Sequence, residues 1–244
     1  MVTWNQQADF EEGNLSDFDS TVGTGLSAST ASAMVGTYGF EVAITDSNVR
    51  YGQLSGLTDQ KIVVFEMKID PNGLVMGIGE MFILGQMLGS GVFATSMWVQ
   101  CGYSELNHQI RYIYFNDYSN SGTSSFYDLP DAPCTITVVW VASSGPGADD
   151  GFIELYIDGD HKETITGIDN DGYDVDAINV GAVAGMDAGT SGALYFDEIK
   201  WSDDLVRFPA PLNAALTILV PTVALRSARR LYARRRDTNL LVEA

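Results

Sequence analysis

The chain has 244 residues, a formal charge of −19, 45% hydrophobic and 11% aromatic residues, and 25 glycines. That apolar share excludes a disordered chain, and the glycine content suits a sheet-rich fold with many turns. The charge is unevenly spread: residues 1–206 hold 30 of the 32 acidic and 6 of the 13 basic side chains, so the body opposes nucleic acid and anionic membranes while the remainder is basic.

In chain order, the first β-prone stretches are Asp9–Gly13 and Gly36–Val42. Further β-rich runs cover 61–69, 81–87, 96–103, 110–115, 135–142, 152–157 and 177–183, separated by turn clusters such as Asp70-Pro-Asn-Gly73 and Ser143-Ser-Gly-Pro-Gly147. About a dozen strands are expected, with no long period-3.6 stripe before residue 207. In 61–69, Val63, Phe65, Met67 and Ile69 share the face opposite Lys61, Glu66 and Lys68, which predicts one buried and one wet side. In 135–142, apolar residues on both faces of the second half predict a central strand. Residues 154–165 read as a hairpin closed at Asp158-Gly159, a pair that tolerates positive φ at both turn positions.

Beyond the body, Phe208-Pro-Ala-Pro-Leu212 breaks any sheet, since proline cannot donate to a ladder. This places a domain at 1–206 and a tail at 207–244. The apolar run 214–225 has only 12 residues and contains Pro221, too short for the ~20 needed to span a bilayer. An extended arm followed by a short basic helix is expected, in which Arg226, Arg229, Arg230, Arg234, Arg235 and Arg236 meet carboxylates or phosphates of a partner, such as another virion protein or a neighbouring copy.

The hairpin 154–165 together with Gly192–Trp201, which contains Tyr195-Phe-Asp-Glu-Ile199, resembles the signature of concanavalin A-like jelly rolls, the laminin G-like and lectin/glucanase group. Asp9–Gly13 and Gly36–Val42 resemble that family's first two strands, so the resemblance covers residues 8–204. It implies an all-β fold, a two-sheet antiparallel jelly-roll sandwich. It also implies a structural Ca²⁺ between Phe10-Glu-Glu-Gly13 and Phe196-Asp-Glu-Ile199, held by Glu11 and Asp197 with carbonyls near Gly36 and Thr37; hard oxygen donors suit that ion.

Catalysis finds little support. The related glucanases carry Glu-x-Asp-x-x-Glu on one strand, a spacing this chain lacks, and only His108 and His161 could serve a triad. The acidic run 169–176 fails the EF-hand pattern because Gly172 falls fourth, and it reads as a loop of surface carboxylates. Cys101 and Cys134 are either two buried thiols or a bridge between neighbouring strands. Aromatic faces that could stack on sugars concentrate at Trp98, Tyr103, Tyr112, Tyr114 and Tyr118, with Tyr112 and Tyr114 on the opposite face from Arg111, Ile113 and Phe115.

The N-terminal residues lack the charged and apolar regions of an export signal. With the lectin-like resemblance, this points to a non-enzymatic virion structural protein of a phage, a capsid decoration or tail-associated component displaying a possible glycan-binding domain. The alternatives are a secreted or cell-surface carbohydrate-binding module and, third, a divergent glycoside hydrolase.

Overall fold

A computed structural model describes residues 4–205 except 72, 90–93, 119 and 131. The chain divides into two units, Met1–Asp204 and Leu205–Ala244. Of the second only Leu205 is described, so the expected arm, basic helix and arginines Arg226 to Arg236 lie outside the described residues.

Seventeen strands occupy the described residues. The first seven are β1 (Gln6–Ala8), β2 (Ser20–Val22), β3 (Leu26–Ser29), β4 (Gly39–Ile44), β5 (Arg50–Leu54), β6 (Ile62–Asp70) and β7 (Leu74–Val75). Next come β8 (Met81–Leu88), β9 (Met97–Tyr103), β10 (His108–Phe115), β11 (Ser121–Thr123), β12 (Tyr127–Asp128) and β13 (Cys134–Val141). The series ends with β14 (Gly151–Ile157), β15 (Asp160–Ile168), β16 (Ala177–Ala184) and β17 (Ser191–Ser202). No described helix is long and apolar enough to cross a membrane.

The strands form two antiparallel sheets stacked as a sandwich. One runs β15-β14-β13-β6-β17-β4-β3, with β1 and β7 also paired to β17; the other runs β11-β10-β9-β8-β16-β5-β2, with β12 on β10. Strand alternation fixes the interior. Val63, Phe65, Met67 and Ile69 of β6 and Ile136, Val138 and Trp140 of β13 turn inward from the first sheet, and Phe82, Leu84, Val99, Cys101, Ile110 and Tyr112 from the second. The side of β6 expected to be wet is polar but largely covered: Glu66 pairs with Lys200 at 3.0 Å and accepts from Thr137 Oγ1, while Val64 on the same face is buried. Strand β13 lies between β6 and β14 as its two-sided apolar pattern required, with Val139 2% exposed on the outer face. Asp158 and Gly159 close the β14–β15 hairpin with φ of 52° and 79°.

First and last strands lie side by side, with Gln6 opposite Trp201 and Ala8 opposite Ile199. The starting boundary differs from expectation. The strand is Gln6–Ala8, and Asp9–Gly13 is a turn in which Phe10 takes φ 61° and donates its N–H to Asp17. That turn drops the Phe10 ring into a cluster with Phe18, Phe40 and Phe196, centroids 4.9–5.9 Å apart, and burying four rings offsets the unfavourable backbone. Both cysteines are free and buried, which settles the alternatives left open by sequence.

Candidate functional site

The outer face of the second sheet carries a continuous polar row. Register aligns Ser20 with Gln53, Gln53 with Asn179, Asn179 with Gln86, Gln86 with Trp98, and Trp98 with Ile113. Each occupies the outward position between inward residues such as Val99, Met87, Val180 and Leu54. The amides bond head to tail: Gln53 Nε2 donates to Asn179 Oδ1 at 2.9 Å, Asn179 Nδ2 to Gln86 Oε1 at 3.3 Å, and Gln86 Nε2 to Thr95 Oγ1 at 3.1 Å. Ser20 Oγ bonds Gln53 Oε1 at 3.3 Å. Such a chain polarises along its length and holds its members in single rotamers.

Trp98 ends the amide row. It is half-buried, stands outside the core, and meets the Phe115 ring edge-on at 5.1 Å. One residue pair along the sheet, Arg111 Nε donates to Gln100 Oε1 at 2.7 Å, and its guanidinium lies 4.3 Å from the Phe126 ring centroid. A primary amide has two N–H donors and an oxygen with two lone pairs, so the partly exposed Gln53 and Gln86 retain capacity for a further bond, while Asn179, 2% exposed, links them as a buried member of the row. An apolar ring beside a rigid set of amides is a surface on which a sugar's C–H face can stack while its hydroxyls pair.

Of the aromatic residues singled out in the sequence, only Trp98 belongs to this face. Tyr112 is completely buried, and Tyr103 and Tyr114 pack against the core beside it. The alternation placing Tyr112 and Tyr114 opposite Arg111, Ile113 and Phe115 is correct, but the tyrosines take the inward parity and the arginine the outward one. Tyr118 lies off the sheet in the β10–β11 loop and is 71% exposed. Sequence reading missed Gln53, Gln86, Gln100 and Asn179. Their signal is a single amide at an outward position within an otherwise apolar strand, as in Met81–Leu88 and Ala177–Ala184.

Glu11 and Asp197 are also brought together, each clasping the 34–38 loop. Asp197 Oδ2 accepts from the N–H groups of Met34 and Val35 at 2.8 and 2.7 Å, and its Oδ1 from that of Glu198 at 2.7 Å. Glu11 Oε1 accepts from Thr37 and Tyr38 at 2.9 and 3.1 Å. Gly36 is pressed so close that a Cβ there would sit 2.3 Å from Glu11 Oε1. Where the resemblance implied loop carbonyls, the loop presents amide hydrogens. A cation between these carboxylates would face the positive ends of five N–H dipoles, so this donor set does not fit the Ca²⁺ expected there. The amides of Thr37 and Tyr38 hold the Glu11 carboxyl below its usual range, whereas burial pushes that of Asp197 up.

No family model matches the sequence, and no curated protein matches it. Solved structures do share the fold. An alginate lyase superposes with TM-score 0.56 at 11% identity, covering 82% of this chain and 97% of that one. The globular domain of T. cruzi calreticulin gives 0.53 at 12%, covering 83% and 89%.
The fold is a two-sheet antiparallel jelly roll.
The receptor-binding domain of botulinum neurotoxin type G gives 0.54 at 11%, covering 82% of this chain and 47% of that one, so this jelly roll spans about half its length.

Proposed function

We propose that this jelly roll is a non-enzymatic glycan-binding protein carried as a structural component of a virion, with the outer face of the second sheet as its sugar site. The observation that supports the reading is the hydrogen-bonded row Gln53–Asn179–Gln86 ending on Trp98. That a receptor-binding domain and an alginate lyase share the fold is compatible with a carbohydrate or receptor ligand. Net charge favours a neutral saccharide, because the acidic body repels polyanions at long range. Attachment to a particle would use 207–244, whose seven arginines oppose the acidic body. Sites of this kind spread binding over several weak contacts, so avidity from many displayed copies would supply the working affinity.

The test is a glycan array with the full chain, followed by calorimetry on the strongest neutral oligosaccharide. Trp98→Ala and Arg111→Ala should each weaken binding about tenfold. The same incubations, followed by product chromatography, address catalysis; turnover of any bound glycan would overturn the non-enzymatic reading. Deleting 208–244 should abolish co-sedimentation with the particle, and unchanged co-sedimentation would refute the anchoring role.

A further inference from the structure

We propose that Asp117, Asp169 and Asp171 form a binding site for a divalent metal cation of the Ca²⁺ type. One carboxylate oxygen from each lies within 4.8 Å of the others. The residues come from separate parts of the chain: Asp117 follows β10, while Asp169 and Asp171 lie in the turn between β15 and β16. This is the acidic run that fails the EF-hand spacing. The third carboxylate is supplied across the fold, so no local motif could reveal it.

The decisive observation is Asp169. A loop of surface carboxylates was expected, yet Asp169 is 6% exposed and its Oδ1 has no hydrogen-bond partner; Asp171 Oδ1, also buried, has none either. Buried carboxylate oxygens without donors are rare because their desolvation goes uncompensated. At the first and last strands, by contrast, Glu11 and Asp197 are met by five amides. The acidic cluster thus has acceptor atoms in excess of donors, which is the chemistry of a cation site.

The frame is held independently of any ion. Asp117 N–H donates to Asp169 O at 2.9 Å, and Gly172 N–H to the Asp117 carboxylate at 3.1 Å. Asn170 N–H donates to Ser143 Oγ at 2.9 Å, and Asn170 Oδ1 accepts from Ser143 N–H at 2.8 Å. Lys61 Nζ caps the carbonyls of Asp171 and Tyr173 at 2.8 and 2.6 Å and makes no ion pair with the three carboxylates among the described residues. Oxygen donors of mixed burial in a loop suit the loose coordination of Ca²⁺ better than the strict octahedron of Mg²⁺.

Tyr173 provides a reporter, since its hydroxyl bonds Asn116 O at 3.1 Å beside Asp117. The experiment titrates the chelator-stripped full chain with Tb³⁺, read by tyrosine-sensitised luminescence, and with Ca²⁺, read by calorimetry and thermal melting. One saturable site with a raised Tm is expected. Asp169→Asn and, separately, the less buried Asp171→Asn should each weaken it about tenfold or more, because affinity follows ligand charge. Glu11→Gln and Asp176→Asn should leave it unchanged. Absence of saturable binding would overturn the proposal. So would binding that survives Asp171→Asn, or that is lost in Glu11→Gln or Asp176→Asn.

Discussion

Replacing Asp197 by Ala or by Asn separates its two possible duties, accepting hydrogen bonds and supplying charge. In Asp197→Ala, the N–H groups of Met34, Val35 and Glu198 lose their acceptor together. An unpaired buried amide costs roughly 1–3 kcal/mol. Val35 is 44% exposed and Met34 half-buried, so water recovers part of the loss there. The net destabilisation comes to about 3 kcal/mol, a Tm fall of roughly 6–12 °C for a domain of this size. Asp197→Asn keeps one oxygen for the amides of Met34 and Val35, leaves the Glu198 N–H facing an NH2 group and removes a charge that burial already disfavours, so it should cost less than Ala, about 1–2 kcal/mol. The carboxyl pKa is raised in the folded state. This group's contribution to stability is therefore fullest below the unfolded value of 3.8 and is lost as pH rises through the folded value. Asp197→Asn should abolish that component. Urea unfolding of the three proteins between pH 4 and pH 8 is the assay. Equal damage from Ala and Asn, mimicked by chelator on the wild type, would show that the carboxylate serves a cation and refute the amide clasp.

Three further outcomes follow from named contacts. Burial pushes the thiols of Cys101 and Cys134 up to about 12, so an aromatic disulfide reagent at pH 8 should label neither in the native protein and both after unfolding. A Cβ at Gly52 would lie 2.3 Å from the Phe18 ring, so Gly52→Val should cost about 1–3 kcal/mol by overpacking, measured by denaturant unfolding. Glu11 has its pKa lowered by the amides of Thr37 and Tyr38; its stabilising effect is present above the unfolded value and lost as pH falls through the folded one, and Glu11→Gln should flatten that acid limb of the stability profile.

Much of the scaffold was legible because strand alternation is a strong local signal. The inward set of β6, the central place of β13 and the Asp158-Gly159 turn all follow from period-2 patterning and turn chemistry. The first boundary was not, because a positive φ at Phe10 becomes favourable only once its ring joins Phe18, Phe40 and Phe196. The proposed sugar face was half legible. Alternation divided Tyr112 from Arg111, but which parity faces the opposite sheet depends on where β10 sits, and tyrosine is as suited to a core as to a surface. The amide row was invisible because its members lie on β5, β8 and β16 and become neighbours only through sheet order. The same holds for Asp117 and Asp169, 52 positions apart in sequence and joined by one backbone hydrogen bond.

The sugar face is tested most directly by backbone amide NMR shifts of the full chain, titrated with the best neutral oligosaccharide from the array. Saturable changes should concentrate at Gln53, Gln86, Trp98, Gln100, Arg111 and Asn179, with the first sheet silent. Changes confined to the first sheet or to the loops, or none with any glycan, would contradict a sugar site on this face.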